Sequence, residues 1–164
     1  MAKSTSARSR SARPNATTAP AGVRAAARAR KARAERPAKT LKLPKAVSGA
    51  VRAAQDRKAV DLVVLDLRKA GGFTDFFVIC TGTNTRQISA IADAVRETLK
   101  REYDELPTLA EGVEKSEWIL LDYFNFVVHI FSRECRAFYG LERLWGNAER
   151  HEFVEDARAD TART

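Results

Sequence analysis

The chain reads as an α/β protein, a mixed β-sheet with helices packed on it. Three observations predict this. Two short runs, Asp61–Asp66 and Phe76–Thr81, are apolar almost without interruption and are bounded by charges or glycines, as strands buried on both faces are. Ile88, Ile91, Ala92, Val95 and Leu99 fall on one face of a helix. The segment Trp118–Trp145 then holds a hairpin followed by a second amphipathic stretch.

The elements follow in order. A helix over about Lys45–Lys58 puts Val47, Ala50, Val51 and Ala54 on one side. After the first strand, Gly71-Gly72 breaks the chain, and Phe76–Thr81 resumes as the second. Asn84 is placed to cap the central helix, and Gln87 three residues on completes a box-like pattern. Glu97 and Arg101 form an i, i+4 pair on its exposed side. Pro107 marks the loop that follows. Trp118–Tyr123 and Phe126–Phe131 make a hairpin around Phe124-Asn125. Period-two geometry sets Trp118, Leu120 and Asp122 on one face of its first strand and Ile119, Leu121 and Tyr123 on the other. Both faces carry large side chains, so a helix is expected on one and, at least in part, a partner on the other. Ser132 is placed to cap a final helix with the stripe Cys135, Phe138, Leu141 and Trp145, and Tyr139 on its flank. From about Asn147 the chain is charged and is expected to fray.

Composition sets the domain plan. The 164 residues carry a net charge of +8. Residues 1–45 hold 13 Lys/Arg against the single acid Glu35, no aromatic residue and four of the five prolines. Such a segment buries too little apolar surface to offset its ordering entropy, and is read as a disordered basic tail. Three roles compete for it: loose attraction to RNA, an organelle transit peptide, or an inert extension. Residues 46–147 form the expected domain and 148–164 a charged, flexible tail. Beyond residue 45 the count is 16 Lys/Arg against 20 Asp/Glu, so the body is mildly acidic and poorly suited to phosphate backbones. No apolar run approaches the roughly 18 residues of a membrane span, and no membrane partner is expected. Cys80 and Cys135 lie on apolar positions outside any CxxC pattern and read as reduced thiols.

Candidate chemistry is sparse. Thr81-Gly-Thr-Asn-Thr-Arg-Gln87 joins a strand to a helix start, where backbone N–H groups can hold phosphate, and a capped turn explains it equally well. There is no Asp-x-Asp, and Asp61 and Asp66 point to opposite faces of one strand. His129 lies in a strand and reads as a sheet histidine, whereas His151 reads as solvated. Neither has a second ligand at zinc spacing. Large amphipathic aromatics at a strand start and a hairpin turn, Trp118 and Tyr123, are suited to a protein interface, whereas Trp145 reads as core.

These residues resemble a family. Lys58-Ala-Val-Asp-Leu-Val-Val-Leu-Asp66, Thr74-Asp-Phe-Phe-Val-Ile-Cys-Thr-Gly82, Gln87 through Asp93, Glu111-Gly112, Trp118-Ile-Leu-Leu-Asp-Tyr123, Val127-Val-His-Ile-Phe131 and Phe138-Tyr-Gly-Leu-Glu-Arg-Leu-Trp145 are similar, in order and spacing, to the ribosomal silencing factor (Iojap-related) family. The resemblance implies a fold similar to nucleotidyltransferases without their catalytic acids, and no enzymatic activity, cofactor or metal. It implies docking on the large ribosomal subunit through its universal protein fourteen, which sterically blocks small-subunit joining and lowers translation. Organelle members take part in large-subunit assembly. By position, Trp118, Asp122, Tyr123, Asn125, Glu134, Arg136 and Tyr139 are then the partner-facing residues. Phe124-Asn125 departs from the family's usual Gly-Asp or Asn-Asp, and Asp75-Phe-Phe77 from its Asp-Tyr-Phe. A nucleotide-binding or nucleotidyltransferase-like enzyme, motivated by the Thr81–Gln87 turn, is the rival reading, and RNA binding through residues 1–45 a third. The bacterial cytoplasm is the expected compartment, and homodimerisation stays open.

Overall fold

The computed structural model describes residues 42–153. The expectations for residues 1–41 and 154–164 fall outside the described residues. Strands that are apolar on both faces take the middle of the sheet, where both faces are covered. β2 (Phe76–Thr81) and β5 (Phe126–Phe131) are buried throughout and run parallel, from Phe76 opposite Phe126 to Thr81 opposite Phe131. β1 (Val60–Asp66) pairs antiparallel with β2, and β4 (Trp118–Asp122) antiparallel with β5. β3 (Leu109–Glu111) and β6 (Glu149–Phe153) form the edges, in the order β3-β4-β5-β2-β1-β6. The sheet is mixed, as the sequence predicts.

α1 (Lys45–Asp56) and α2 (Thr85–Tyr103) cover one face. Every predicted stripe residue of both helices is buried. Asn84 Oδ1 accepts the Gln87 N–H at 2.9 Å. Gln87 returns its own oxygen to Thr83 N–H at 2.7 Å, one residue before the cap. Its amide nitrogen also donates to the carbonyls of Arg57 (3.1 Å) and Lys58 (2.9 Å), which ties the end of α1 to the start of α2.

The opposite face carries Val63, Leu65, Phe77, Ile79, Val127, His129 and Phe131, all buried, and the layer over them, including Trp118, Leu120, Leu141 and Trp145, is only partly covered. The expected single final helix is two short ones, α3 (Arg133–Tyr139) and α4 (Leu141–Leu144). Gly140, at φ +56°, ends the first in the left-handed conformation that glycine adopts freely. The break rotates the stripe out of register. Phe138 is therefore 79% exposed, and Trp145 is half-buried against Phe77, ring centres 6.0 Å apart.

The predicted frayed end is corrected for Glu149–Phe153. These residues pair with β1 from Asp66 opposite Glu149 to Leu62 opposite Phe153. A charged strand suits a sheet edge, where one rim faces water. His151 is accordingly half-buried opposite Val64 rather than solvated.

Candidate docking face

Alternation along β4 builds the candidate site. Ile119, Leu121 and Tyr123 point into the core beneath α1 and α2. Trp118, Leu120 and Asp122 emerge half-buried on the other face. Trp118 lies against its cross-strand partner Phe131 at 5.1 Å between ring centres, and against Tyr139 of α3 at 4.4 Å. Its indole N–H donates to His129 Nδ1 at 3.2 Å. The cluster runs outward through Tyr139 to Phe138, ring centres 5.1 Å apart. In the other direction His129 meets Phe77 edge-on at 4.7 Å, and Phe77 meets Phe73 at 5.8 Å. A continuous chain of ring contacts thus crosses this face; Phe77, His129 and Phe131 in its middle are buried, and it ends in exposed rings at both ends.

The hairpin turn frames the band. Asp122 Oδ1 accepts the Phe124 N–H at 2.8 Å, which holds Phe124 at φ +70°. Asn125 is exposed, and its carbonyl accepts the Asp75 N–H at 3.0 Å. Glu134 is exposed at the start of α3.

Two residues assigned to the partner side by position lie elsewhere. Tyr123 is buried and stacks on Phe126 at 4.9 Å on the helix-covered side. Burial pushes its phenol up to about 12, and its hydroxyl has no partner. Strand alternation overrides the exposure expected of a turn position. Arg136 is an internal clamp. Its guanidinium donates to Glu142 Oε1 (2.6 and 3.0 Å), Thr81 Oγ1 (2.8 Å) and the Asp61 carbonyl (2.7 Å). The carbonyl is available because β1 bulges there, with Asp61 at φ +50°. Burial would raise the Glu142 carboxyl, but the paired guanidinium outweighs this and holds it below the usual range. Arg136 therefore fixes α3 and α4 to β1 and β2.

Trp118 and Tyr139 are in contact, Asp122 projects from the same strand face at the turn end, Asn125 and Glu134 lie exposed in the turn and at the helix start, and Tyr123 and Arg136 face inward. Sequence reasoning set Leu120 on this strand face and Phe124 in the turn without naming either as a site residue, and passed over Phe73. A large apolar residue directly after Gly71-Gly72 was the available signal for Phe73.

At the Thr81–Gln87 turn several backbone donors are engaged by the protein itself. Gly82 N–H bonds the Phe131 carbonyl, and the Thr83, Gln87 and Ile88 N–H groups bond within the turn and cap. A capped turn accounts for this segment. Among the described residues no three His, Cys, Asp or Glu side chains converge as a metal site would require. Burial pushes the Cys80 thiol up to about 12, which leaves it a packing group.

The family model described as "Ribosomal silencing factor during starvation" matches residues 40–164. A ribosomal silencing factor of Halalkalibacterium halodurans is 39% identical over 99 residues, covering 60% of this chain and 84% of its own. The chloroplastic protein Iojap of Zea mays is 40% identical over 98 residues, covering 59% of this chain and 42% of its own. The mouse protein named "Mitochondrial assembly of ribosomal large subunit protein 1" is 31% identical over 94 residues, covering 56% and 41%. A crystal structure of a Chromobacterium violaceum protein superposes with a TM-score of 0.61 at 30% identity, over 72% of this chain and 98% of that one. The chain belongs to the ribosomal silencing factor family, whose members are named as regulatory silencing factors rather than as enzymes.

Proposed function

We propose that this chain is a translation repressor that docks on the large ribosomal subunit, through its universal protein fourteen, and blocks association with the small subunit by bulk. The incompletely covered aromatic face around Trp118 carries the reading. Large amphipathic rings, held rigid by Phe131, His129 and Tyr139, are the kind of anchor that dominates a protein interface. A face of about 800 Å² per partner suffices for a stable complex. A domain so placed on the joining surface excludes the other subunit without chemistry. Relatives named as ribosomal silencing factors, and one named for assembly of the mitochondrial ribosomal large subunit, support that subunit as the partner. Residues 1–45, with their 13 Lys/Arg, add a sequence-independent contact to ribosomal RNA. Action in the cytoplasm belongs to the same reading.

The test is sedimentation of mixed subunits with and without the protein. Saturating protein shifts the subunits apart, and Trp118→Ala, which loses about 2 kcal/mol or more of binding, restores their joining. Normal joining in the presence of saturating wild-type protein overturns the proposal. Deleting residues 1–41 weakens binding and flattens its salt dependence without abolishing it.

A further inference from the structure

At the hairpin end of the sheet face lies a depression of about 280 Å³ lined by Phe73, Thr74, Asp75, Asp122, Phe124 and Asn125. Its two aromatic rings are 77% (Phe73) and 80% (Phe124) exposed. The depression is preformed. Thr74 Oγ1 donates to the Phe124 carbonyl at 3.2 Å, and the Asp75 N–H donates to the Asn125 carbonyl at 3.0 Å. These two bonds fasten the loop before β2 to the β4–β5 turn. Phe124 holds its place at φ +70°, a region that residues with a side chain rarely adopt.

We propose that this niche receives a cationic side chain, arginine or lysine, from the protein on which the sheet face docks. The inference rests on the docking proposed above and names the chemistry of one of its contacts. Exposed aromatic faces attract cations, and carboxylates beside them supply charge-assisted acceptors. Asp122 uses one oxygen on the Phe124 N–H, and the other carboxylate oxygen has no recorded protein partner. The chain's own nearby cation, Arg68, is held mainly by Asp66, with the Asp75 carboxylate a weaker charge neighbour. It donates to both oxygens of Asp66 (3.0 and 2.6 Å) and lies over the Phe76 ring at 4.9 Å. The niche therefore presents Asp122 to a partner, with Asp75, which shares the field of Arg68, beside it. Two carboxylates disfavour a phosphate backbone, so the matching surface is polypeptide rather than RNA. Continuity with the aromatic band supports the same occupant. Asp122 projects from the same strand face as Trp118, about 13 Å along it, and Phe73 meets Phe77 edge-on at 5.8 Å.

The experiment measures affinity for purified large subunits by co-sedimentation at low and high salt. It compares wild type with Phe124→Gly, Phe73→Ser, Asp75→Asn plus Asp122→Asn, and Trp118→Ala. Phe124→Gly separates folding from binding, because glycine suits φ +70° and should leave the melting temperature unchanged or higher. In Asp122→Asn the amide oxygen still accepts the Phe124 N–H. Phe124→Gly and the double Asn variant are expected to lose about tenfold in affinity at low salt, and the Asn pair less at high salt. Phe124→Gly binding as wild type while Trp118→Ala binds weakly overturns the niche and leaves the docking face standing. Tighter binding by the Asn pair also overturns it, because the niche would then face phosphate. If Trp118→Ala binds as wild type, the docking face itself is wrong and the niche falls with it.

Discussion

Trp118 and His129 are joined across β4 and β5 by an indole N–H donated to Nδ1 at 3.2 Å, so the neutral imidazole carries its proton on Nε2. Nε2 is buried without a partner. Protonating Nδ1 would set a donor against the indole donor. Burial lowers His129 from its ordinary value of 6.5 to about 4.

The sign of the pH dependence follows. The unfolded chain takes up the His129 proton near pH 6.5, and the folded chain only near pH 4. Between these values only the unfolded state gains it, so acidification favours unfolding. Above pH 6.5 both states are neutral and the contribution is fully present. The loss on going from pH 7 to 4.5 is about 2 kcal/mol. Urea unfolding at these two pH values checks it, with His129→Gln as the control that removes the His129 share of the slope. Equal slopes in both proteins refute the assignment.

Tyr123 is part of the core. Tyr123→Phe removes a buried hydroxyl that has no partner, so it is expected to leave stability unchanged or raise it by about 1 kcal/mol, with ribosome binding intact. Tyr123→Ala opens a cavity beside Phe126 and lowers stability by about 3 kcal/mol, and any binding it loses tracks unfolding. A Tyr123→Phe variant that melts as wild type yet fails to bind shows that the phenol reaches the partner after all.

Much of this was legible because burial writes itself into period. The α2 stripe, the β2 and β5 runs and the alternation of β4 each repeat at the spacing of their own element. What lacked period was missed. β3 has three exposed residues, and β6 is a charged edge whose apolar contribution is largely Phe153. The stripe past α3 continued through Gly140 in sequence but not in space, because a left-handed residue turns the chain. Arg136 was assigned to the partner side by resemblance alone, and two of its three acceptor residues lie far away in sequence. The Asp61 carbonyl is 75 residues distant and is reached only through a backbone bulge.

Arg136 tests that distinction. Its ion pair with Glu142 is largely shielded from solvent, with side-chain exposures of 12% and 18%. Arg136→Ala leaves Glu142, Thr81 Oγ1 and the Asp61 carbonyl without their donor, and is expected to cost about 3 kcal/mol. Arg136→Lys keeps the charge but lacks the planar fork, and recovers only part of the loss. Arg136→Met with Glu142→Leu is destabilised less than Arg136→Ala, because no buried charge is left alone. Thermal unfolding of the set decides it. Arg136→Ala folding as wild type while binding weakly would return this residue to the interface.

Gly112 sets the edge beside Trp118. Its φ is +76°, and a Cβ built on it would lie 1.8 Å from the Trp118 carbonyl oxygen, a backbone atom that cannot rotate away. Gly112→Ala therefore faces both strain and overlap, several kcal/mol if the backbone stayed in place. β3 holds to β4 through the Leu109–Asp122, Ala110–Leu121 and Glu111–Leu120 pairs and two bonds from Thr108 to the Asp122 carbonyl, and all three β3 residues are exposed. Releasing this strand relieves the overlap at less cost than disturbing β4, whose Ile119 and Leu121 are fully buried. The expected variant keeps its core and melts only slightly lower. Backbone amides of β3, and those of β4 that face it, exchange with solvent at least about tenfold faster, while those of β2 and β5 do not change. Affinity for large subunits falls with them, because the edge of β4 that carries Trp118 has lost its neighbour. Unchanged exchange at β3 in the Ala variant is the result that contradicts this account.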